Sequence, residues 1–229
     1  MRNVLTTAAT QAATRFYGQQ SSAQAGYSHL SPKLGATWAL APGWSAYASL
    51  NHGFRAPSEG QLFRAGSAAN VADAMARARL ALALQPIKAD QVEVGLRGQG
   101  PQWQWEAVVY DLVKRDDLVS QRDLVTNLST NVNAGKTRHR GVEMSLGARL
   151  SHAWRLDTAL SSARHRYEEW VTATANFSGK DMESAPRLMA NTRLTWTPRP
   201  GTTVQTEWVR IGAYWLEASN SATFGQYAG

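Results

Sequence analysis

Apolar residues recur at every second position through four pairs of segments, and each pair doubles back through a short connection. A period of two sends successive side chains to opposite faces of a β-strand, so each run carries one apolar and one polar face. In the first pair, Leu34, Ala36, Trp38 and Leu40 lead into Ala41-Pro42-Gly43, and Trp44, Ala46, Ala48 and Leu50 follow. Pairing residues whose numbers sum to 84 predicts Leu40 opposite Trp44 and Leu34 opposite Leu50, with Pro42-Gly43 as the turn. In the second pair, Val92, Val94 and Leu96 precede the Gly98–Pro101 turn, and Trp103, Trp105, Ala107 and Val109 follow. A sum of 199 sets Leu96 against Trp103. The third pair turns at Ser151-His152-Ala153, and a sum of 304 sets Leu150 against Trp154 and Met144 against Leu160. The fourth runs from Leu188 to Trp196, turns through Thr197–Gly201, and returns through Val204 and Trp208 on a face that Thr206 and Arg210 interrupt.

These pairs predict an all-β, antiparallel fold of about eight strands in four hairpins. Connections inside a hairpin are short. Those between hairpins, roughly 52–88, 113–137, 167–186 and from 212 onward, are long and polar, and 70–85 within the first is a candidate helix. Strict alternation of short and long connections is the pattern of a transmembrane β-barrel, with tight turns on one side and extended loops on the other. A soluble sandwich has no cause to sort its loops by length. No stretch approaches 18 consecutive apolar residues, which excludes a transmembrane helix and leaves a barrel open.

Four of the nine tryptophans support the barrel: Trp44, Trp103, Trp154 and Trp196 occur once per hairpin, beside the short turn, on the apolar parity. Core aromatics of a sandwich would be spread along the strands, whereas an outward ring at one end makes a membrane-interface girdle. The opposite face carries Glu93, Arg97, Glu106, Glu143 and Arg149, too wet for a packed small barrel and suited to a wide lumen. Charged residues make up 18%, below the roughly 25% of a soluble domain. The net charge of +7 raises the alternative of a soluble carbohydrate- or nucleic-acid-binding β domain. Such a domain would place its tryptophans on the polar face, so no nucleic-acid partner is expected. The absence of cysteine excludes disulfides, thiolate metal sites and Cys nucleophiles. The N-terminus, MRNVLTTAATQAATRFYG, has one early Arg and a diluted apolar stretch, and reads as a poor signal peptide.

The blocks GFRAPS (53–58) and NAGKTRHRGVE (133–143), with LQPIKADQVEVGLRG (84–98) and DMESAPRLMANTRLTWTPRPG (181–201), resemble the C-terminal barrel portion of TonB-dependent outer-membrane receptors. The resemblance covers roughly 27–220 and leaves 1–26 unplaced. It implies that residues 27–229 are a partial receptor β-barrel domain, a transmembrane segment of a 22-stranded barrel that encloses a plug. It implies residence in the bacterial outer membrane and uptake of a ferric siderophore or similar iron complex. Family receptors couple to the energy transducer TonB through the plug. On this reading the plug and the remaining barrel strands are absent, along with a terminal aromatic strand, so the chain is expected to be a fragment that is inactive alone. The alternative is a self-contained eight-stranded outer-membrane barrel with a structural or adhesive role. No P-loop, dinucleotide fingerprint or nucleophile elbow is present, so neither an enzyme nor a bound cofactor is expected.

Candidate ligand contacts are Arg55, Ser58 and Gln61 in the GFRAPS block, where Arg55 would present a charge to an anionic complex or pair with a lumen carboxylate. Two Arg-His-Arg triplets, Arg138-His139-Arg140 and Arg164-His165-Arg166, fall directly opposite each other on the 304 sum. The four arginines take the outward parity, just beyond one membrane span from the short turn. Opposed like charges repel across a ladder, so lipopolysaccharide phosphate, or a merely solvated basic rim, is the expected environment. His139 and His165 face inward as candidate ligands of a metal or haem, but without a placed carboxylate they fall short of predicting a metal site.

Overall fold

The computed structural model describes residues 2–5, 16–17, 23–63, 67–68, 70–122, 129–172, 175–225 and 227–228. Most of the unplaced N-terminal segment 1–26 therefore lies outside the described residues. Eight long strands carry the fold: β1 (Lys33–Ala41), β2 (Trp44–Arg55), β3 (Ile87–Gln99), β4 (Trp103–Arg122), β5 (Ser129–Arg149), β6 (Trp154–Glu169), β7 (Leu188–Arg199) and β8 (Thr202–Ile211). They lie side by side in chain order in one sheet, and Tyr227–Ala228 pairs with β8 on its outer side. β1 has β2 as its one neighbour, so the sheet is open among the described residues.

Register follows the parity, with two corrections. The 84 sum holds from Lys33 opposite Asn51 to Ala39 opposite Ser45, and then slips so that Ala41, not Leu40, faces Trp44. A bulge absorbs the extra residue just before the turn, where Gly43 takes φ 77°. In the next hairpin, β3 continues to Gln99, and Gly100 N–H donates to Trp103 O at 2.8 Å. That bond closes the turn on Pro101 and Gln102, so Leu96 is not opposite Trp103. The slip is even, and Val92, Val94 and Leu96 keep the same face as Trp103, Trp105 and Val109. Leu150 N–H donates to Trp154 O at 2.9 Å, as the 304 sum requires. Trp154 then opposes Trp196, and Trp196 opposes Val204.

The strands flanking the second long connection reach much further than their alternation, with 20 residues in β4 and 21 in β5. Beyond Asp111 apolar and charged residues mix on both parities, Leu112, Lys114, Asp116 and Leu118 on one and Val113, Arg115, Asp117 and Val119 on the other, so no apolar stripe marks its strand character.

The chain forms two compact units. The first comprises 1–31, 53–89 and 114–136. It contains α1 (Glu59–Phe63) and α2 (Val71–Leu82), the latter matching the helix expected within 70–85. Asn70 caps α2 by accepting from Asp73 N–H at 2.9 Å, and Arg77 pairs with Asp73 one turn on. Leu62, Ala74, Ala78, Leu84 and Ile87 are buried here.

The second unit comprises 32–52, 90–113 and 137–229, and holds most of the sheet. One face is apolar and bare, with Leu34 71% and Val109 58% exposed and Val94, Met144, Leu160 and Trp208 also exposed. The other is a polar mesh: Ser49 Oγ donates to Glu93, Arg155 pairs with Asp157, and Asn191 and Arg193 both reach Glu207. Aromatic rings lie over glycines of adjoining strands. A Cβ on Gly95 would come within 2.3 Å of the Tyr47 ring, and one on Gly141 within 2.7 Å of the Tyr110 hydroxyl.

Candidate functional site

The two Arg-His-Arg triplets meet in the second unit as the parity requires. His139 is 8% exposed, and its Nδ1 lies 2.7 Å from His165 Nδ1, with ring centroids 5.0 Å apart. Two Nδ1 atoms at that distance share one proton, one ring donating and the other accepting. Thr137 Oγ1 lies 3.2 Å from His139 Nε2, which orients the buried ring further. Among the described residues, no group of three or more His, Asp or Glu side chains is gathered for a metal ion.

The arginines flank this pair. Asp111, next on the outward parity after Val109, takes Arg138 through Nε at 2.9 Å and Nη2 at 2.5 Å, and Arg140 through Nε at 2.9 Å. Glu168 lies 3.9 Å from Arg138. Asp181 receives Arg164 Nε at 3.0 Å and also pairs with Arg187 and with Arg166. Arg166 donates to the Gly179 carbonyl as well. Carboxylates of the chain itself therefore meet the repulsion that the sequence reading assigned to an outside anion. Asp111 was legible as the first polar residue after an apolar run. Asp181 and Arg187 lie in an irregular connection that carries no strand parity, so no sequence rule brings them to β6.

That connection, 170–187, is folded onto β6 by backbone bonds. Tyr167 N–H donates to Lys180 O at 3.0 Å, and Met182 N–H to His165 O at 2.9 Å. Tyr167 is fully buried, its hydroxyl donates to Glu183 at 2.6 Å, and its ring packs on Trp170, which packs on Phe177. A second connection is strapped to the first. Asn220 exchanges two bonds with the Asp181 backbone, at 3.0 and 2.8 Å, and Lys180 Nζ donates to Ser219 O at 2.7 Å. Burial works to raise the Asp181 pKa, but hydrogen bonds from Arg187 and Arg164 outweigh it and hold the carboxyl below its ordinary 3.8.

The remaining candidates belong elsewhere. Arg55 ends β2 with an exposed side chain. Ser58 and Gln61 exchange bonds at the start of α1: Ser58 N–H donates to Gln61 Oε1 at 2.9 Å, and Gln61 N–H to Ser58 Oγ at 3.3 Å. This reciprocal pair is a capping box, signalled in the sequence by Ser-x-x-Gln. Trp44, Trp103 and Trp154 each begin a strand, and Trp196 stacks on Trp154 at 5.7 Å. Trp44 meets Trp103 edge-on at 5.9 Å.

Residues 6–228 match the family model described as TonB dependent receptor-like, beta-barrel. Among solved structures, the ferric yersiniabactin uptake receptor FyuA from Yersinia pestis is similar at 15% identity and a TM-score of 0.62, covering 90% of this chain and 29% of that one. The copper transporter OprC shares 18% identity with a TM-score of 0.64, covering 86% of this chain and 30% of its own. BauA, the ferric preacinetobactin receptor from Acinetobacter baumannii, shares 17% with a TM-score of 0.62, covering 90% and 28%. The chain thus spans less than a third of the length of these structures, which share its fold. A meandering sheet with an apolar outer face and a polar inner one agrees with that match, and the chain belongs to the TonB-dependent receptor β-barrel family.

Proposed function

We propose that the chain is part of a receptor that takes up a ferric siderophore or similar iron complex across the bacterial outer membrane. TonB-dependent receptors are outer-membrane transporters rather than enzymes. The observation that carries the reading is the sheet with one bare apolar face and one polar face, in strict up-and-down order. In water that bare face is a liability; against acyl chains it is what a transmembrane barrel strand presents. Trp44, Trp103, Trp154 and Trp196 then form the interfacial ring, and His139 and His165 face the lumen through which the complex passes. Ser58 and Gln61 serve the fold of α1 instead of the ligand, and Arg55 remains the candidate contact of that block.

The open sheet supports a part over a self-contained eight-stranded barrel, because closure would pair β1 with β8. Alone, the chain transports nothing, since its open sheet encloses no lumen among the described residues. Expression in a receptor-null strain should give no energy-dependent ferric-siderophore accumulation above the empty vector. Uptake abolished by a protonophore would overturn that statement.

A further inference from the structure

On the outward face of the second unit, β3, β4, β5 and β6 form a groove of about 620 Å³. Val92, Val94 and Val109 line it, and Arg140, Arg164 and Arg187 stand with them in the same lining. The three arginine side chains are 59%, 51% and 60% exposed. Arg140 and Arg164 hold their aspartates through Nε, one of the five donors a guanidinium carries. Among the described residues, the ion pairs of this region join five arginines, at 138, 140, 164, 166 and 187, to three carboxylates, Glu168, Asp181 and Asp111, the last also in the groove's lining. Arginines next to an apolar trough call for a molecule that is anionic at one end and hydrocarbon at the other.

The level along the strand agrees. Arg140 lies ten residues before Leu150, and Arg164 ten residues after Trp154, the pair that closes the β5–β6 hairpin. Ten strand residues span about 34 Å, and a tilt of about 40° reduces that to about 26 Å along the membrane normal, close to the roughly 25 Å apolar band of an outer-membrane barrel. The arginines therefore sit where the hydrocarbon ends, on the side away from the tryptophans.

We infer that this groove binds the lipid A part of lipopolysaccharide, with an acyl chain over Val92, Val94 and Val109 and a phosphate on Arg140, Arg164 and Arg187. Arg187, which carries no strand parity, joins the site, whereas Arg138 and Arg166 are taken up by Asp111 and the Gly179 carbonyl. The inference rests on the outward face meeting lipid. Phosphates accept several charge-assisted bonds from arginine, and the aspartates keep the cluster from repelling itself before the lipid arrives.

The test is titration of the full chain, refolded in detergent micelles, with bisphosphorylated lipid A, its dephosphorylated form and inorganic phosphate. The chain should bind the bisphosphorylated form at least tenfold tighter than the dephosphorylated one, and inorganic phosphate should compete only weakly. The triple variant R140Q/R164Q/R187Q should lose the phosphate preference, while R166Q keeps it. Equal binding of both lipid forms by the unaltered chain, which needs no variant to fold, would overturn the inference. So would full competition by inorganic phosphate, or a loss in R166Q equal to that of the triple variant. Tryptophan quenching by brominated lipid, read in parallel in bilayers, separates the two readings: quenching without phosphate preference sinks this inference alone.

Discussion

Gly43 sits between two demands that no other residue type meets together. Its φ of 77° lies in the left-handed region, and a Cβ there would stand 2.3 Å from the Gln99 carbonyl oxygen, which belongs to the next hairpin. Gln99 N–H in turn donates to Gly43 O at 2.8 Å, so turn and strand end press together. Gly43→Ala should cost about 1–3 kcal/mol from backbone strain alone. It should lower the urea midpoint of the refolded chain in micelles. Gly60→Ala is the control, since nothing lies within 4 Å of its Cβ position and α1 accepts alanine. Equal midpoints for the two variants would show that the Gly43 turn is not under this constraint.

At the scale of elements, the described part of the connection 170–187 is tied to β6 by backbone bonds and by one half-buried carboxylate, Asp181. Asp181 is the common partner of Arg164, Arg166 and Arg187, and its backbone is bound by Asn220. A carboxyl whose folded pKa lies below its unfolded value stabilises the fold fully above the unfolded pKa, and that contribution is lost as pH falls through the folded one. Amides of 179–182 should thus keep their exchange protection, corrected for intrinsic rates, down to about pH 4, and lose it below. In Asp181→Asn the protection should be lower at neutral pH and flat across the same range. A pH profile unchanged by the substitution would refute the anchor.

Elements differ sharply in how far they could be read beforehand. Wherever one face meets a uniform environment, parity shows it: the four hairpins, their faces and the 304 register were all legible. The helix expected within 70–85 is α2, and its Asn70 cap is seen in the structure. The extra lengths of β4 and β5 did not show, because charged residues such as Lys114, Arg115 and Asp117 fall on both faces. The slip at Ala41 escaped because a bulge leaves the composition of the strand unchanged. Of the candidate site, the triplets and their opposition were visible, whereas Asp181 and Arg187 depend on a loop path set by backbone bonds.

The second unit bares one apolar face, and Trp44, Trp103, Trp154 and Trp196 lie beside its short turns. In bilayers, tryptophan fluorescence of the chain should be quenched more by bromines near the headgroups than by bromines near the acyl ends. Replacing Trp44, Trp103, Trp154 and Trp196 by Phe should reduce that shallow quenching. Quenching that is strongest at the acyl ends, or unaltered in the quadruple variant, would place the ring elsewhere.

Tyr47 over Gly95 and Tyr110 over Gly141 add a consequence for how such a sheet assembles. A slip of two residues between neighbouring strands keeps the apolar parity intact, so lipid alone does not penalise it. The same slip drives the Tyr47 ring onto Glu93 or Arg97 in place of the bare backbone at Gly95. Each tyrosine therefore works as a key that fits one notch on the adjoining strand. The two contacts thereby disfavour registers that the alternation of faces alone would allow.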